Sequence, residues 1–250
     1  IDGTHSLIRD WPPVMSLAMH WAMTCGLGPE YDSPENIRRL IDRVGKKALP
    51  ETDWTCRENA GFSAITQLEY GVRRALELGH YPQDALQLTD EDKKRNLEII
   101  NRLRRAEERY PDIRERAEIT RFIDAHTPRL FRLYEKILNG ACRDRHTAEA
   151  WKNPARWRVP GSLEFVGFLH SLGIVNYFVT GAVVFEQEGM HEEVRALGFE
   201  IGPGKMIESL RGSSWNEKMP KNEVMADIIR EEKLDARNVL MVGDGRTEMK

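Results

Sequence analysis

The predicted fold rests on one short stretch: Asn176-Tyr177-Phe178-Val179-Thr180-Gly181. Aromatic and β-branched side chains fill this stretch and a Thr-Gly corner ends it, which is the pattern of a buried parallel strand. Open α/β sheets carry their chemistry at the carboxyl ends of such strands. We therefore expect the hydroxyl group of Thr180 and the backbone of Gly181 to lie at a functional site.

Two downstream segments fit the same architecture. Lys221 comes just before an amphipathic stretch at residues 224–229. The apolar run at residues 239–242 predicts another buried strand, and it leads to Asp244, with Glu248 four residues further on. Both segments therefore supply charged side chains beside predicted regular structure.

The first four residues, Ile1-Asp2-Gly3-Thr4, add a further carboxylate. Asp-Gly is among the commonest turn dipeptides, so this tetrapeptide by itself predicts only a turn. Its weight comes from the residues that follow it in order along the chain, which are Thr180, Lys221 and Asp244.

In this order the four segments resemble the motifs of the haloacid dehalogenase superfamily of aspartate-nucleophile phosphohydrolases. The resemblance implies an α/β fold with a Rossmannoid core, a doubly wound parallel sheet, and a large all-helical cap inserted after the first motif. It also implies that the nucleophilic Asp lies one position before Ile1. On this basis we expect the chain to be clipped at both ends and to be inactive by itself.

The resemblance assigns a role to each matching residue. Asp2 matches the acid that protonates the leaving group and then activates water, and its carbonyl group helps to hold Mg²⁺. Thr180 matches the residue that hydrogen-bonds a phosphoryl oxygen, and Gly181 offers a backbone N–H. Lys221 matches the lysine that neutralises the aspartyl-phosphate, with Lys218 in reserve.

The remaining matches concern the metal. Asp244 matches the acid that binds Mg²⁺ directly or through water, and Glu248 matches the second acid of that motif. A carboxylate that attacks a phosphate monoester brings two negative groups together, so a divalent cation and a lysine are needed to offset the repulsion. Oxygen ligands suit Mg²⁺. An Asp at the position of Asp2 favours phosphoryl chemistry over carbon–halogen cleavage.

Helical patterns fill the middle of the chain, whereas strand-like runs appear only after Gly161. We predict core at residues 1–12, a helical cap at 13–158, and core again at 159–250. Within the cap, Ser33-Pro34 and Thr89 are typical helix starts. Two separate helices are predicted on either side of Pro128, at residues 112–125 and 128–138.

Substrate contacts are predicted beside the first motif and in the cap. His5 and Arg9 follow Asp2 closely. Arg73 lies in Gly71-Val72-Arg73-Arg74, which resembles a cap segment of β-phosphoglucomutase-like members, where an arginine binds a non-reacting phosphate. The alternative is that Arg73 and Arg74 are exposed helix residues.

Composition agrees with an intracellular enzyme and adds little more. A net charge of −3 gives no reason to expect nucleic acid as a partner. The three cysteines lack metal or redox spacing, which fits a reducing compartment and predicts a cytoplasmic location. No apolar run approaches the ~18 residues that a membrane span needs, so no membrane partner is predicted.

These observations predict a Mg²⁺-dependent phosphatase that acts on a small phosphorylated metabolite. One alternative is a β-phosphoglucomutase-like phosphotransferase. Another is a phosphonoacetaldehyde-type C–P hydrolase, which needs a cap lysine such as Lys46 or Lys47. A third, of a different class, is a catalytically inactive core that carries a helical protein-binding module. Substrate identity and oligomeric state do not follow from the sequence.

Overall fold

The computed structural model describes residues 1–8, 10–105, 107–185, 188–213 and 219–243. The chain divides into two compact units. We call them the sheet unit (Ile1–Arg9, Gly61–Ser63 and Arg143–Lys250) and the helical unit (Asp10–Ala60 and Ala64–Cys142). The predicted cap ran from residue 13 to residue 158, whereas the helical unit starts at Asp10, ends at Cys142 and leaves Gly61–Ser63 to the sheet unit.

Six α-helices are described in the helical unit: α1 (Trp11–Cys25), α2 (Pro34–Ile41), α3 (Pro50–Glu58), α4 (Ala64–Glu77), α5 (Asp90–Arg104) and α6 (Ala117–Leu138). Helix α1 packs against α3, α4 and α6, and α4 also packs against α5 and α6. The side chains of Met15, Met19 and Trp21 are buried on α1, which explains the near-helical spacing of these large apolar residues.

Both predicted helix starts are confirmed. The Ser33 side chain accepts a hydrogen bond from the Asn36 N–H, and Pro34 is the first residue of α2. Thr89 forms a capping box with Asp92 at the start of α5, where each residue's side chain bonds the other's backbone N–H. Local polar side chains therefore determine where these helices begin.

The predicted break at Pro128 is wrong, because one helix, α6, runs through it. Proline removes one helical N–H donor, and this weakens the helix locally. Apolar side chains before and after the proline, including Phe122, Ile123 and Leu130, are buried. Since α6 packs against α1, α2 and α4, burial on both sides of Pro128 keeps the helix continuous.

The described part of the sheet unit holds five α-helices and two strands: α7 (Asp144–Lys152), α8 (Pro154–Trp157), α9 (Ser162–Ser171), β1 (Tyr177–Val183), α10 (Met190–Ala196), β2 (Ser209–Ser213) and α11 (Lys221–Glu231). Strands β1 and β2 are parallel, with Tyr177 opposite Ser209 and Val179 opposite Arg211. Helix α11 packs against both strands. Phe178 and Leu210 are buried in one apolar core with Phe199.

The predicted doubly wound parallel sheet is wrong. Of the described residues, 56% are helical, and they form a single sheet of only two strands. The run at residues 239–242 is not a strand, and the Leu240 side chain in it is 81% exposed. An apolar, β-branched pattern fits a strand locally, but stability comes from pairing and burial against a neighbour that the pattern does not specify.

Candidate functional site

Thr180 is the fourth of the seven residues of β1 (Tyr177–Val183), so the prediction that the strand ends at the Thr-Gly corner is wrong. Its side chain is buried, and its Oγ1 accepts a hydrogen bond from the Ala182 N–H at 3.2 Å. The regular pairing with β2 is interrupted between Val179 and Val183. The hydroxyl group still carries a proton, which it can donate to an oxyanion at this irregular part of the strand.

Two glycines allow other backbone to approach Thr180 closely. A Cβ atom on Gly181 would stand 2.5 Å from the carbonyl oxygen of Phe62, and one on Gly212 would stand 2.4 Å from the carbonyl oxygen of Ala182. Neither distance is compatible with a side chain, so both positions need glycine. The sequence did not predict the contacts at Phe62 and Gly212. Nothing in the local sequence Gly61-Phe62-Ser63 indicates that Phe62 approaches Gly181.

Lys221 is the first residue of α11 and is half-buried. The Met219 N–H donates to Ser213 Oγ at 3.3 Å, which links the end of β2 to the start of α11. Because the carboxyl ends of parallel strands meet at one edge, the end of β1 and the start of α11 lie at the same edge of the sheet. Lys218, the reserve candidate, lies outside the described residues.

The first motif forms a tight turn. The N–H groups of Thr4, His5 and Ser6 all donate to the Ile1 carbonyl oxygen, at 3.1, 2.8 and 3.1 Å. Gly3 has a φ of +82°, a conformation that favours glycine. Asp2, which follows Ile1, is half-buried in this turn. The Asp-Gly pair therefore does form the turn that its composition indicates.

His5 holds this turn against β1. Its ring stacks on Phe178 at a centroid distance of 4.3 Å and meets Phe199 edge-on at 5.7 Å. The Nδ1 atom of His5 is buried and has no hydrogen-bond partner among the described residues. His5 was predicted to contact substrate, and in the structure its ring packs on the aromatic side chains of Phe178 and Phe199.

Protonation of His5 is expected to destabilise the fold. Burial is the main cause that lowers the pKa of His5 from 6.5 to about 4. Between these values the unfolded chain binds a proton that the folded chain does not, so stability falls as the pH drops from about 6.5 towards 4. Urea titrations should show a lower free energy of unfolding at pH 5 than at pH 7. The His5→Phe substitution should make this difference smaller by about 1 kcal/mol. An equal loss in both proteins would contradict this account.

Arg73 lies in the helical unit and is 2% exposed. The prediction that it is an exposed helix residue is therefore wrong. Its guanidinium group donates to Glu69 Oε1 at 2.6 Å and to both carboxylate oxygens of Glu115. Arg73 thus belongs to an internal ion-pair network. Arg9, the other arginine predicted to bind substrate, lies outside the described residues.

The predicted Mg²⁺ ligands are only partly described. Asp2 lies in the turn of the first motif, whereas Asp244 and Glu248 fall outside the described residues. Within the described ranges, no group of three or more His, Cys, Asp or Glu side chains is arranged to hold a metal ion. The same ranges contain no helix that is both long and apolar enough to cross a membrane.

No protein-family model, curated protein or solved structure matches this chain.

A substitution at Gly181 tests the close approach of Phe62. Gly181→Ala is expected to lower the free energy of unfolding by about 1–3 kcal/mol, because its methyl group overlaps a backbone oxygen that cannot rotate away. Gly167→Ala in α9 is the matched control, since its Cβ would meet only Met206 Cε at 3.6 Å. Denaturant titration of both variants makes the comparison. Equal stabilities would show that the Phe62 contact is absent in solution.

Proposed function

We propose that this protein is a Mg²⁺-dependent phosphatase that hydrolyses a small phosphomonoester through an aspartyl-phosphate intermediate. The observation that carries the proposal is the position of Thr180-Gly181 in the middle of β1, where the pairing with β2 is interrupted, in the same unit in which α11 begins with Lys221. The turn that contains Asp2 packs on the same strand through the stack of His5 on Phe178. Three of the four motifs thus contribute to one unit.

The proposed first step is attack on phosphorus by the carboxylate expected directly before Ile1. A bond forms between this carboxylate and phosphorus, and the bond from phosphorus to the leaving oxygen breaks. Asp2 gives its proton to that oxygen, which departs as an alcohol. Thr180 and the Gly181 N–H bind phosphoryl oxygens, while the positive charge of Lys221 offsets the negative charge that gathers at phosphorus.

The proposed second step is hydrolysis of the aspartyl-phosphate. Asp2, now ionised, accepts a proton from water as the water oxygen bonds to phosphorus. The bond between phosphorus and the nucleophilic carboxylate breaks, and inorganic phosphate leaves. The two steps replace one difficult displacement by two easier ones.

The residues that would hold Mg²⁺ are Asp2 through its carbonyl oxygen, Asp244 and Glu248. This donor set consists of oxygen atoms alone, which fits a hard cation such as Mg²⁺. When bound, Mg²⁺ supplies positive charge that reduces the repulsion between the nucleophile and the phosphate. We propose a cytoplasmic location, because none of the three cysteines forms a disulfide.

The enzyme alternatives gain no support from particular residues. The phosphotransferase alternative used Arg73 to bind a second phosphate, and this guanidinium group is engaged by Glu69 and Glu115. The C–P hydrolase alternative needs a lysine in a site that favours the neutral amine, because only the neutral amine forms a Schiff base. Lys46 and Lys47 follow α2 and are exposed. Simple phosphomonoester hydrolysis needs neither a second phosphate-binding arginine nor a Schiff-base lysine.

The experiment that tests the proposal compares Thr180→Val with Thr120→Val in the protein expressed from its complete reading frame. Phosphate release from a panel of sugar, nucleotide and short-chain acid phosphates is measured with Mg²⁺ and with EDTA. We expect Thr180→Val to reduce kcat/KM by about a hundredfold, because valine keeps the shape but cannot donate to the phosphoryl oxygen. Thr120 is exposed on α6, so Thr120→Val should be neutral. Equal activity of a folded Thr180→Val protein and the parent would refute the assignment.

A further inference from the structure

A cleft of about 420 Å³ opens on the sheet unit. Trp151 of α7 and Arg195 of α10 line it, together with Phe199, Ile201 and Lys205 from the loop that leads towards β2. The Glu208 N–H, directly before β2, donates to the carbonyl oxygen of Asn176, directly before β1. The loop therefore reaches the amino ends of the strands.

The loop wall of this cleft is held by hydrogen bonds. Arg158 Nη1 donates to the Leu197 carbonyl oxygen at 2.6 Å, directly before Gly198, which also lines the cleft. The Gly202 N–H donates to the Ile207 carbonyl oxygen at 2.9 Å, and the Gly204 N–H donates to Glu208 Oε2 at 2.8 Å. A pre-formed wall reduces the entropy lost when a ligand binds.

Arg195 gives the lining of the cleft a positive charge. Arg195 forms no ion pair within the part of the chain that the structure describes. Lys205 Nζ lies 3.5 Å from Glu200 Oε2, and both side chains are exposed. This exposed pair cancels its own charge and contributes little energy. Arg195 therefore favours a ligand with a negative group.

Trp151 supplies an aromatic surface beside that charge. Its side chain is 54% exposed, which is unusual for the largest apolar residue type. Its indole stacks on no other ring of the described residues, whereas Phe199 in the floor of the cleft is buried. Exposed indole faces are good platforms for planar rings.

We propose that this cleft binds a planar heteroaromatic anion of the nucleoside monophosphate class. The ring stacks on Trp151 and the anionic group pairs with Arg195, while Phe199 and Ile201 provide the apolar floor. A cleft of this volume falls in the range that holds ligands of this size. Occupation of this cleft does not depend on catalysis.

Equilibrium dialysis with adenosine 5′-monophosphate in EDTA tests the proposal on the complete protein. We expect saturable binding that Trp151→Ala and Arg195→Gln each weaken about tenfold. Trp54→Ala and Arg237→Gln are the matched controls, since both residues are exposed and distant in sequence from the cleft. Both controls should bind as the parent does. Uncharged adenosine and inorganic phosphate should each bind at least tenfold more weakly than the monophosphate.

Three results would overturn the proposal. One is the absence of saturable binding up to millimolar ligand. Another is parental affinity in a Trp151→Ala protein that unfolds as cooperatively as the parent. The third is equal affinity for adenosine and its monophosphate, which would remove the role of Arg195.

Discussion

Replacing Arg73 by methionine is expected to lower the free energy of unfolding by about 3–5 kcal/mol. The guanidinium group is buried, and it donates to Glu69, Glu115 and Asn96 at distances from 2.6 to 3.3 Å. Removing the cation leaves carboxylates buried without their main counter-charge. Burial acts to lower the pKa of Arg73, but Glu69 and Glu115 raise it above its usual value, so the arginine stays charged at every ordinary pH.

Denaturant titration measures this effect, and Arg121→Met provides the control. Arg121 lies 3.6 Å from Glu118 on the exposed surface of α6, and such a pair contributes about 0–1 kcal/mol. Combining Arg73→Met with Glu115→Gln should cost less than the sum of the two single changes, because each removes the partner of the other. Stability of Arg73→Met within 0.5 kcal/mol of the parent would contradict the network.

Lys221→Met is expected to reduce kcat for phosphomonoester hydrolysis by about a hundredfold to a thousandfold, with a smaller change in KM. This prediction rests on the proposed function. The lysine charge is needed most where negative charge gathers in the transition state, so its loss affects turnover more than binding. Methionine retains most of the aliphatic length that packs at the start of α11.

Steady-state kinetics with Mg²⁺ on the most active substrate of the panel measures this change. Lys94→Met, on the exposed surface of α5, is the control for losing one positive charge. Its kinetic constants should match those of the parent. A folded Lys221→Met protein with parental kcat would remove Lys221 from the proposed mechanism.

Local features of the fold were predictable from the sequence. Ser33 and Thr89 begin helices because their side chains satisfy backbone N–H groups a few residues away, and such bonds depend only on neighbouring sequence. The strand at residues 177–183 was also located by its apolar pattern. In each case the deciding interactions lie within the segment itself or follow from its periodicity.

Long-range features were not predictable in this way. Residues 239–242 have the composition of a strand, yet pairing with a neighbour decides whether a strand forms. Pro128 predicts a helix end, yet burial of Phe122 and Leu130 on either side carries α6 through it. Arg73 has the charge of a surface residue, and only Glu69 and Glu115 explain its burial. None of these partners is marked in the sequence.

The candidate site shows the same division. Thr180 was identified at the end of an apolar run, and Lys221 just before an amphipathic stretch, at positions that match the motifs of the resembled family. The approach of Phe62 to Gly181 joins segments far apart in sequence, and no composition signal marks it. The sequence shows that His5 lies close to the first motif. Its stacking on Phe178 depends on the packing of the whole unit, which the sequence does not show.

Exchange of oxygen between ¹⁸O-labelled inorganic phosphate and water tests the proposed mechanism most directly. An enzyme that forms an aspartyl-phosphate reversibly replaces phosphate oxygen with solvent oxygen, whatever its natural substrate is. For the protein expressed from its complete reading frame, we predict exchange that requires Mg²⁺ and is lost in Asp2→Asn. Mass spectrometry of the phosphate measures the loss of label. No exchange above the buffer rate, by a folded protein with Mg²⁺ present, would contradict the proposed aspartyl-phosphate chemistry.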